Sequence, residues 1–391
     1  MPSKRFPVID CDSHVLETSD IWTKYLDPEY RVIARSVFWH EVDELGVPVT
    51  IVNGKQAKEL TTNGINRHAI WKPGMRPEDI GALDPSVRHP VTPGAQDPQA
   101  RLRDMDAMGV DAALLFPTLF AEYFPILENP DASFALARAY NDWIADFCSA
   151  APSRLLPVAV LPLQDASFAV RELKRVAAKG FRAAFIRPAF VNQRFPNHPY
   201  YQPLWQHLES LGVAACIHPS TGNANAEWTS HGSYVERVAA NLRIGHPVAE
   251  SVAPLMDNAT FLTAICFYGH MEEYPRLKLS FLHSGASWLP LALEKAETYL
   301  WLMSSTQDVS LEPEHVFFER PSLVSFSSWE SSVARLTDIF KDVAAWGSRY
   351  PHHDASDAQE ARATLARWSV PEDIVARYMG GNAAKHYQIA D

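Results

Sequence analysis

Short apolar runs alternate with longer amphipathic segments along most of the chain, and this pattern predicts strands separated by helices. The apolar runs begin near residues 7, 111, 155, 181, 213, 277, 322 and 343. Strands joined by helices imply a parallel sheet, because right-handed crossovers cover both of its faces. Eight such strands close into a (β/α)8 TIM barrel, an α/β fold. The alternative is an open doubly wound sheet. That fold typically has a Gly-rich phosphate-binding turn after an early strand, and the sequence contains none.

Residues 18–98 interrupt the alternation directly after the first strand. Trp22, Trp39 and Trp71 are spread there among prolines, glycines and charged residues, without clear periodicity. So long an irregular segment predicts an insertion that packs over the active-site face and carries substrate contacts. We expect one barrel domain over residues 1–391, ending in a helical C-terminus.

Composition excludes several classes of partner. The net charge of -11 argues against nucleic acid and acidic membrane surfaces, because both attract clustered Lys and Arg. The four cysteines show no C-x-x-C pairing, which favours free buried thiols in a reducing compartment. No apolar signal core begins the chain, and no run reaches the roughly 18 apolar residues of a membrane span. We therefore expect a cytoplasmic protein.

Polar side chains with metal-binding atoms stand where the predicted strands end. Asp12 and His14, two residues apart, project from the same side of an extended chain. Either they supply a carboxylate and an imidazole to a divalent ion, or they are a capping Asp and a surface His. His218 and His283 end the fifth and sixth strands, and histidines at the same end of one barrel favour the metal site. The alternative chemistry is nucleophilic catalysis, but the sequence contains no G-x-S-x-G motif for a nucleophilic serine.

Motifs spread over nearly the whole chain resemble the amidohydrolase superfamily. They are Asp10-Cys-Asp-Ser-His-Val-Leu-Glu17, Tyr140-Asn-Asp-Trp143, Arg154-Leu-Leu-Pro157, Ala215-Cys-Ile-His-Pro219, Pro275-Arg-Leu-Lys-Leu-Ser-Phe281, Gly347-Ser-Arg-Tyr-Pro-His352 and Gly381-Asn-Ala-Ala-Lys-His-Tyr387. Their order and spacing are similar to the amidohydrolase-related branch, which includes aminocarboxymuconate-semialdehyde decarboxylase and the aromatic-acid decarboxylases.

The resemblance implies a set of site residues. The first-strand ligand pair falls on Asp12 and His14, and the fifth-strand ligand on His218. His283 corresponds to the sixth-strand histidine that aids proton transfer. The implied cofactor is a divalent metal, with Zn²⁺ expected before Mn²⁺, and the implied assembly is a homodimer.

The eighth-strand motif departs from the family pattern. The usual G-S-D-Y-P-H has an Asp that binds the metal, and here that position is Arg349. A guanidinium is never a ligand, and beside a dication it would cost several kcal/mol unless an anion lay between them. Three arrangements stay open: a metal on the other three ligands with Arg349 binding an anionic group, substitution by Asp354 or His353, or a metal-free site.

The resemblance offers two reactions on a small aromatic or unsaturated carboxylic acid. These are non-oxidative decarboxylation and hydrolysis of a C–C or C–N bond, with His283 and Arg349 as the catalytic residues. The residues expected to bind the substrate are Arg187, Trp329, Tyr350 and His352. The loss of the usual Asp weakens ordinary water activation, which favours decarboxylation. The alternative function is a metal-free or catalytically altered barrel that binds a small anionic ligand.

Overall fold

In the computed structural model, eight parallel strands form one nearly closed barrel, and each is hydrogen-bonded to the next barrel strand along the chain. The structure describes residues 6–42, 44–45, 48–57, 61–62, 65–66, 68–84, 86–87, 89–220, 247–303 and 312–389. The strands are Ile9–His14 (β1), Ala112–Phe116 (β7), Leu155–Val160 (β8), Ala183–Ile186 (β9), Ala214–Ile217 (β10), Leu279–Phe281 (β11), Ser322–Phe326 (β12) and Ala344–Trp346 (β13). The predicted TIM barrel is confirmed.

Helices follow the barrel strands and cover their outer side. They are Pro98–Met108 (α3), Leu119–Tyr123 (α4), Pro130–Cys148 (α5), Ala166–Ala178 (α6), Gln202–Leu211 (α7), Pro247–Tyr268 (α8), His270–Glu273 (α9), Leu289–Leu302 (α10), Pro313–Phe318 (α11), Ser331–Arg335 (α12), Thr337–Phe340 (α13), Ala358–Arg367 (α14), Glu372–Ala376 (α15) and Asn382–Tyr387 (α16). Local sequence signals set their ends. The Asp97 side chain accepts a hydrogen bond from the first turn of α3, and Gly109 ends that helix with a positive φ of 78°.

The segment between β1 and α3 contains more regular structure than the sequence predicts. Its described residues include two α-helices, Arg31–Val37 (α1) and Pro77–Gly81 (α2), and five short strands: Phe38–Val42 (β2), Pro48–Val52 (β3), Lys55–Gln56 (β4), Thr61–Thr62 (β5) and Ile65–Asn66 (β6). Strands β2, β3 and β4 form an antiparallel sheet. Asn53 and Gly54 join β3 to β4 with φ values of 47° and 76°, as a two-residue hairpin turn requires. The expectation of an irregular segment is wrong for these residues, because Asn53-Gly54 forms a hairpin turn between β3 and β4.

Two apolar clusters stabilise the barrel. One fills its interior with side chains from alternate strand positions, including Ile9, Leu114 and Phe185. The larger cluster lies between the strands and the surrounding helices. All four cysteines are buried and free, as their spacing predicts. Within the described residues, no helix is both long and apolar enough to cross a membrane.

The first and last strands of the barrel meet through backbone hydrogen bonds beyond their ends. The Arg349 amide donates to the Asp12 carbonyl at 2.8 Å, and the His14 amide donates to the Tyr350 carbonyl at 2.6 Å. Since all eight strands are parallel, their carboxyl ends lie at one face of the barrel. The residues that follow β1, β10, β11 and β13 are therefore brought together there.

One buried histidine outside this face generates a prediction about acid stability. His270 packs against the rings of Trp205, Tyr268 and Tyr274, and neither of its ring nitrogens has a hydrogen-bond partner among the described residues. Burial lowers its pKa from 6.5 to about 4. The unfolded chain therefore binds a proton more strongly between these pH values, and this histidine costs up to about 3 kcal/mol of stability as pH falls from 6.5 to 4.

We expect His270→Phe to flatten the loss of stability between pH 6.5 and 4, because the phenyl ring cannot be protonated. Urea unfolding followed by circular dichroism at several pH values measures this slope. The matched control is His315→Gln, since His315 is an exposed histidine and its replacement should leave the slope unchanged. An equal slope in wild type and His270→Phe would contradict the prediction.

Candidate active site

The end of β1 carries two buried side chains of the metal-binding type. The parallel pairing of β1 with β7 is irregular between Asp10 and Ser13, within the stretch that contains Asp12. Asp12 and His14 are both 1% exposed, and His14 Nε2 lies 3.2 Å from Asp12 Oδ1. A carboxylate and an imidazole therefore face each other where the strand ends.

His218 reaches the same carboxylate oxygen from the end of β10. Its Nε2 atom lies 3.2 Å from Asp12 Oδ1. One ligand atom from each of Asp12, His14 and His218 lies within 4.8 Å of the other two, and all three residues are buried. These side chains, distant along the chain, converge as the sequence predicts.

Backbone carbonyls fix which ring nitrogen of each histidine faces Asp12. Nδ1 of His14 lies 2.9 Å from the Pro117 carbonyl oxygen, and Nδ1 of His218 lies 2.8 Å from that of Pro219. A carbonyl oxygen only accepts hydrogen bonds, so each Nδ1 carries a proton and each neutral ring has its lone pair on Nε2. Two lone pairs therefore point toward one carboxylate, which is the donor set of a divalent cation.

The charges of the triad also fit a cation. The His283 amide donates a hydrogen bond to Asp12 Oδ2, which favours the ionised form of this carboxylate. Burial lowers the pKa of His14 to about 4, although Asp12 opposes the shift. His14 Nε2 is buried and has no hydrogen-bond partner among the described residues. An anionic carboxylate and a neutral imidazole with an unused lone pair are thus available to a metal ion.

Arg349 lies directly beside this triad. Its guanidinium pairs with Asp354, with Nε 3.2 Å from Oδ2, while its buried Nη1 has no hydrogen-bond partner among the described residues. Burial alone would lower the pKa of Arg349, but Asp354 and then Asp12 raise it. The side chain is therefore a fixed positive charge with one unused donor.

The two proposed substitute ligands are engaged elsewhere. Asp354 holds Arg349, and His353 Nε2 lies 3.0 Å from Glu250 Oε2. In the part of the chain that the structure describes, the group of possible ligands consists of Asp12, His14 and His218 alone. The structure therefore gives no support to substitution by Asp354 or His353.

A buried carboxylate beneath the triad connects the first strand to the loop that carries Arg349. Asp10 accepts hydrogen bonds from the Ser348 amide at 2.8 Å and from the Ser348 hydroxyl. It also accepts one from the Asp12 amide at 3.1 Å. A Cβ added to Gly347 would lie 2.6 Å from Asp12 Cβ, so the loop approaches the strand as closely as glycine allows. These contacts fix Arg349 relative to Asp12.

His283 completes the wall next to Asp12. Its amide donates to Asp12 Oδ2 at 3.1 Å, and its ring centroid lies 5.0 Å from that of His218. Burial, and then the positive charge of Arg349, lowers the pKa of His283 well below its usual value. His283 and Arg349 have φ values of 65° and 63°, a region that costs non-glycine residues about 1–3 kcal/mol and is concentrated at functional sites.

Two cavities open beside the triad. The smaller has a volume of about 30 Å³ and is lined mainly by polar side chains, among them His14, His218 and His352. The larger, about 440 Å³, is lined by the carboxylates of Asp12, Glu330 and Asp354 together with apolar and hydroxyl side chains. Glu250, His283 and Arg349 line both. Arg349 thus stands between the two cavities.

The four residues expected to bind the substrate lie at different places. The ring of His352 stacks on that of His14 with centroids 4.2 Å apart, and Trp329 lines the larger cavity with 43% of its surface exposed. Arg187 donates to the carbonyls of Ala121, Glu122 and Ser220, three residues that line the smaller cavity.

Tyr350 points to another part of the molecule. Its hydroxyl donates to Asp104, and its ring lies 4.2 Å from the Arg101 guanidinium carbon. It is absent from the described lining of both cavities. Substrate binding by Tyr350, like that by Arg187, Trp329 and His352, stays a prediction.

Sequence reasoning missed a second polar pair at the smaller cavity. His68 Nε2 lies 3.2 Å from Glu122 Oε1, and both side chains are buried. His68 comes from the segment between β1 and α3, and Glu122 from α4. The rule that places site residues at strand ends could not find them, although the expected position of residues 18–98 over the site was a hint for His68.

Comparisons with known proteins agree with this geometry. A protein-family model described as Amidohydrolase matches residues 9–389. Gamma-resorcylate decarboxylase from Rhizobium sp. (strain MTP-10005) is 29% identical over 196 residues, which cover 47% of this chain and 54% of that protein. 2-Amino-3-carboxymuconate-6-semialdehyde decarboxylase from Dictyostelium discoideum is 25% identical over 51% of each chain. The chain thus matches about half the length of these curated relatives.

A solved structure shares the fold over nearly its full length. It is 5-carboxyvanillate decarboxylase from Novosphingobium aromaticivorans with bound manganese, at a TM-score of 0.69 and 18% identity, covering 98% of this chain and 97% of that one. The relatives found by sequence represent the decarboxylase branch that the motifs resemble. Since the family model spans almost the entire sequence, the chain belongs to the amidohydrolase family.

Proposed function

We propose that this protein is a metal-dependent enzyme that removes the carboxyl group of a small aromatic or unsaturated acid without oxidation. The observation that carries the proposal is the meeting of Asp12, His14 and His218 beside the unused Nη1 of Arg349. The triad of Asp12, His14 and His218 would hold a cation, and Arg349 would hold an anion. Together they suit a substrate with a carboxylate. The relatives named as decarboxylases support this choice of reaction.

Asp12, His14 and His218 would hold the metal ion, for which zinc and manganese are the candidates. Bound there, such an ion acts as a Lewis acid that polarises a substrate oxygen. Arg349 balances the negative charge of a substrate that approaches the triad. Its Nη1 atom would donate to the substrate carboxylate or to a neighbouring oxyanion, while Asp354 keeps the guanidinium oriented.

His283 is the residue we assign to proton transfer. In decarboxylation a C–C bond breaks, CO₂ leaves, and a proton takes its place on the substrate carbon. The neutral, partly buried ring of His283 lines both cavities, and its Nδ1 has no hydrogen-bond partner among the described residues. It can therefore accept a proton from a substrate hydroxyl and return it to the carbon.

Hydrolysis fits these residues less well. It needs a base beside the triad to take a proton from water, and the family motif would provide an aspartate where Arg349 stands. Of the carboxylates nearby, Asp12 belongs to the triad and Asp354 pairs with Arg349. Glu250 contacts His353, and Glu122 contacts His68. Decarboxylation requires no attacking water, and it therefore fits these residues better than hydrolysis does. The homodimer and the cytoplasmic location stay predictions.

The first test is metal content. Protein purified without chelator should contain one zinc or manganese ion per chain by plasma mass spectrometry, and it should release CO₂ from gamma-resorcylate or 5-carboxyvanillate. Substitution of a residue that only orients a metal ligand typically weakens metal binding roughly 10–100-fold. We expect His218→Ala, which removes a proposed ligand itself, to weaken metal binding by more than this. His315→Ala, at an exposed histidine, is the control that should retain the ion. Equal metal content in wild type and His218→Ala would refute the assigned ligand set.

The second test separates cation binding from anion binding at Arg349. Arg349→Met removes the positive charge, and we expect kcat/KM to fall roughly 30-fold or more, since losing one partner of a buried charge pair costs about 2–5 kcal/mol. Arg349→Asp should have the same effect on acid binding but raise metal affinity, because it adds a carboxylate near the triad. Calorimetric titration with Mn²⁺ measures this affinity.

Arg335→Met is the control for both variants, because Arg335 stacks on Trp368 and is absent from the described linings of the two cavities. If metal affinity does not increase in Arg349→Asp, position 349 does not lie beside the ion. If acids bind to wild type with no release of CO₂, the protein is a binding barrel rather than a decarboxylase.

A further inference from the structure

The larger cavity differs in character from the space around the histidines. Apolar surface is contributed by Pro254 and Leu255 of α8, by Phe326 of β12, and by two tryptophans, Trp288 and Trp329. Serine side chains line the same cavity. Its carboxylates other than Asp12 are engaged, since Asp354 pairs with Arg349, Glu250 with His353, and Glu330 accepts from the Ala286 amide. Such a mixture of aromatic and aliphatic walls with a few hydroxyl groups is typical of a site for an organic ligand.

The cavity continues directly from the proposed reaction site. Asp12, His283 and Arg349 all line it, so a ligand held by Arg349 can extend into it without leaving the triad. Trp329 is 43% exposed although it lines the cavity, whereas Trp288 and Phe326 are buried. An aromatic side chain that is open to solvent at the edge of a cavity offers a face for a ring to stack on.

The volumes of the two cavities indicate the size of such a ligand. A cavity of about 150 Å³ is enough to hold a benzene ring. The smaller cavity, at about 30 Å³, is too small for a ring and has room only for a polar group of the substrate. The larger one, at about 440 Å³, is roughly three times what a single ring needs.

Building on the proposed function, we infer that the larger cavity is a subsite for a second ring or an apolar group of similar size on the substrate. The preferred acids are then fused or linked bicyclic carboxylates, with Trp329 and Leu255 contacting the part of the substrate that does not react. Oxygen substituents on that second ring would meet the serine hydroxyls. Arg349 and the triad hold the carboxylate end.

The test is a binding series on the full chain loaded with Mn²⁺, using benzoate, 2-naphthoate and biphenyl-4-carboxylate in calorimetric titrations. We expect the two larger acids to bind at least about tenfold more tightly than benzoate, because they bury a second ring. Trp329→Ala and Leu255→Ala should each weaken the larger acids about fivefold or more and weaken benzoate by less. Trp368→Ala, which removes another half-exposed indole, should change none of the three.

The outcomes separate this inference from the proposed function. Equal affinities for the three acids, or variants that weaken benzoate as much as the larger acids, would overturn the subsite while leaving the proposed function intact. If Mn²⁺ binds but none of the acids does, both the proposed function and the subsite are wrong. The wild-type series alone can reject the subsite, so the test does not depend on the folding of the variants.

Discussion

The buried carboxylate of Asp12 is the centre on which this face of the barrel depends. An ionised group with 1% exposure is stable only if its surroundings replace the water it has lost. The His283 amide donates to one of its oxygens, and a cation between the other oxygen and the two imidazole nitrogens 3.2 Å away would complete that replacement. Each of these contacts comes from a different strand end, so the charge that defines the site also fixes the mutual positions of those strands.

Arg349 gives this site a different electrostatic character from the one that the family motif implies. A positive charge where an aspartate is usual would be unfavourable near a cation, and here it is partly offset by Asp354. The remaining unused donor favours an anionic ligand. The positive φ values of Arg349 and His283 show that the backbone accepts strain to hold both side chains there.

Much of the barrel could be predicted because its strands are short, apolar and flanked by helices with clear caps. Asp12, His14 and His218 could be predicted for the same reason, since parallel strands end at one face. The pair of His68 and Glu122 could not, because it joins two segments whose relative placement depends on tertiary packing rather than on strand order. The pairing of Arg349 with Asp354 depends on the local path of a loop, which no periodicity encodes.

The hydrogen bonds between the end of β1 and the residues after β13 have a consequence for how the protein matures. Asp12 is synthesised long before Arg349, and yet the Arg349 amide donates to the Asp12 carbonyl. During translation, early-made helices can pack while this face of the barrel is still incomplete. The triad and Arg349 are thus brought together late, when the ring of strands closes.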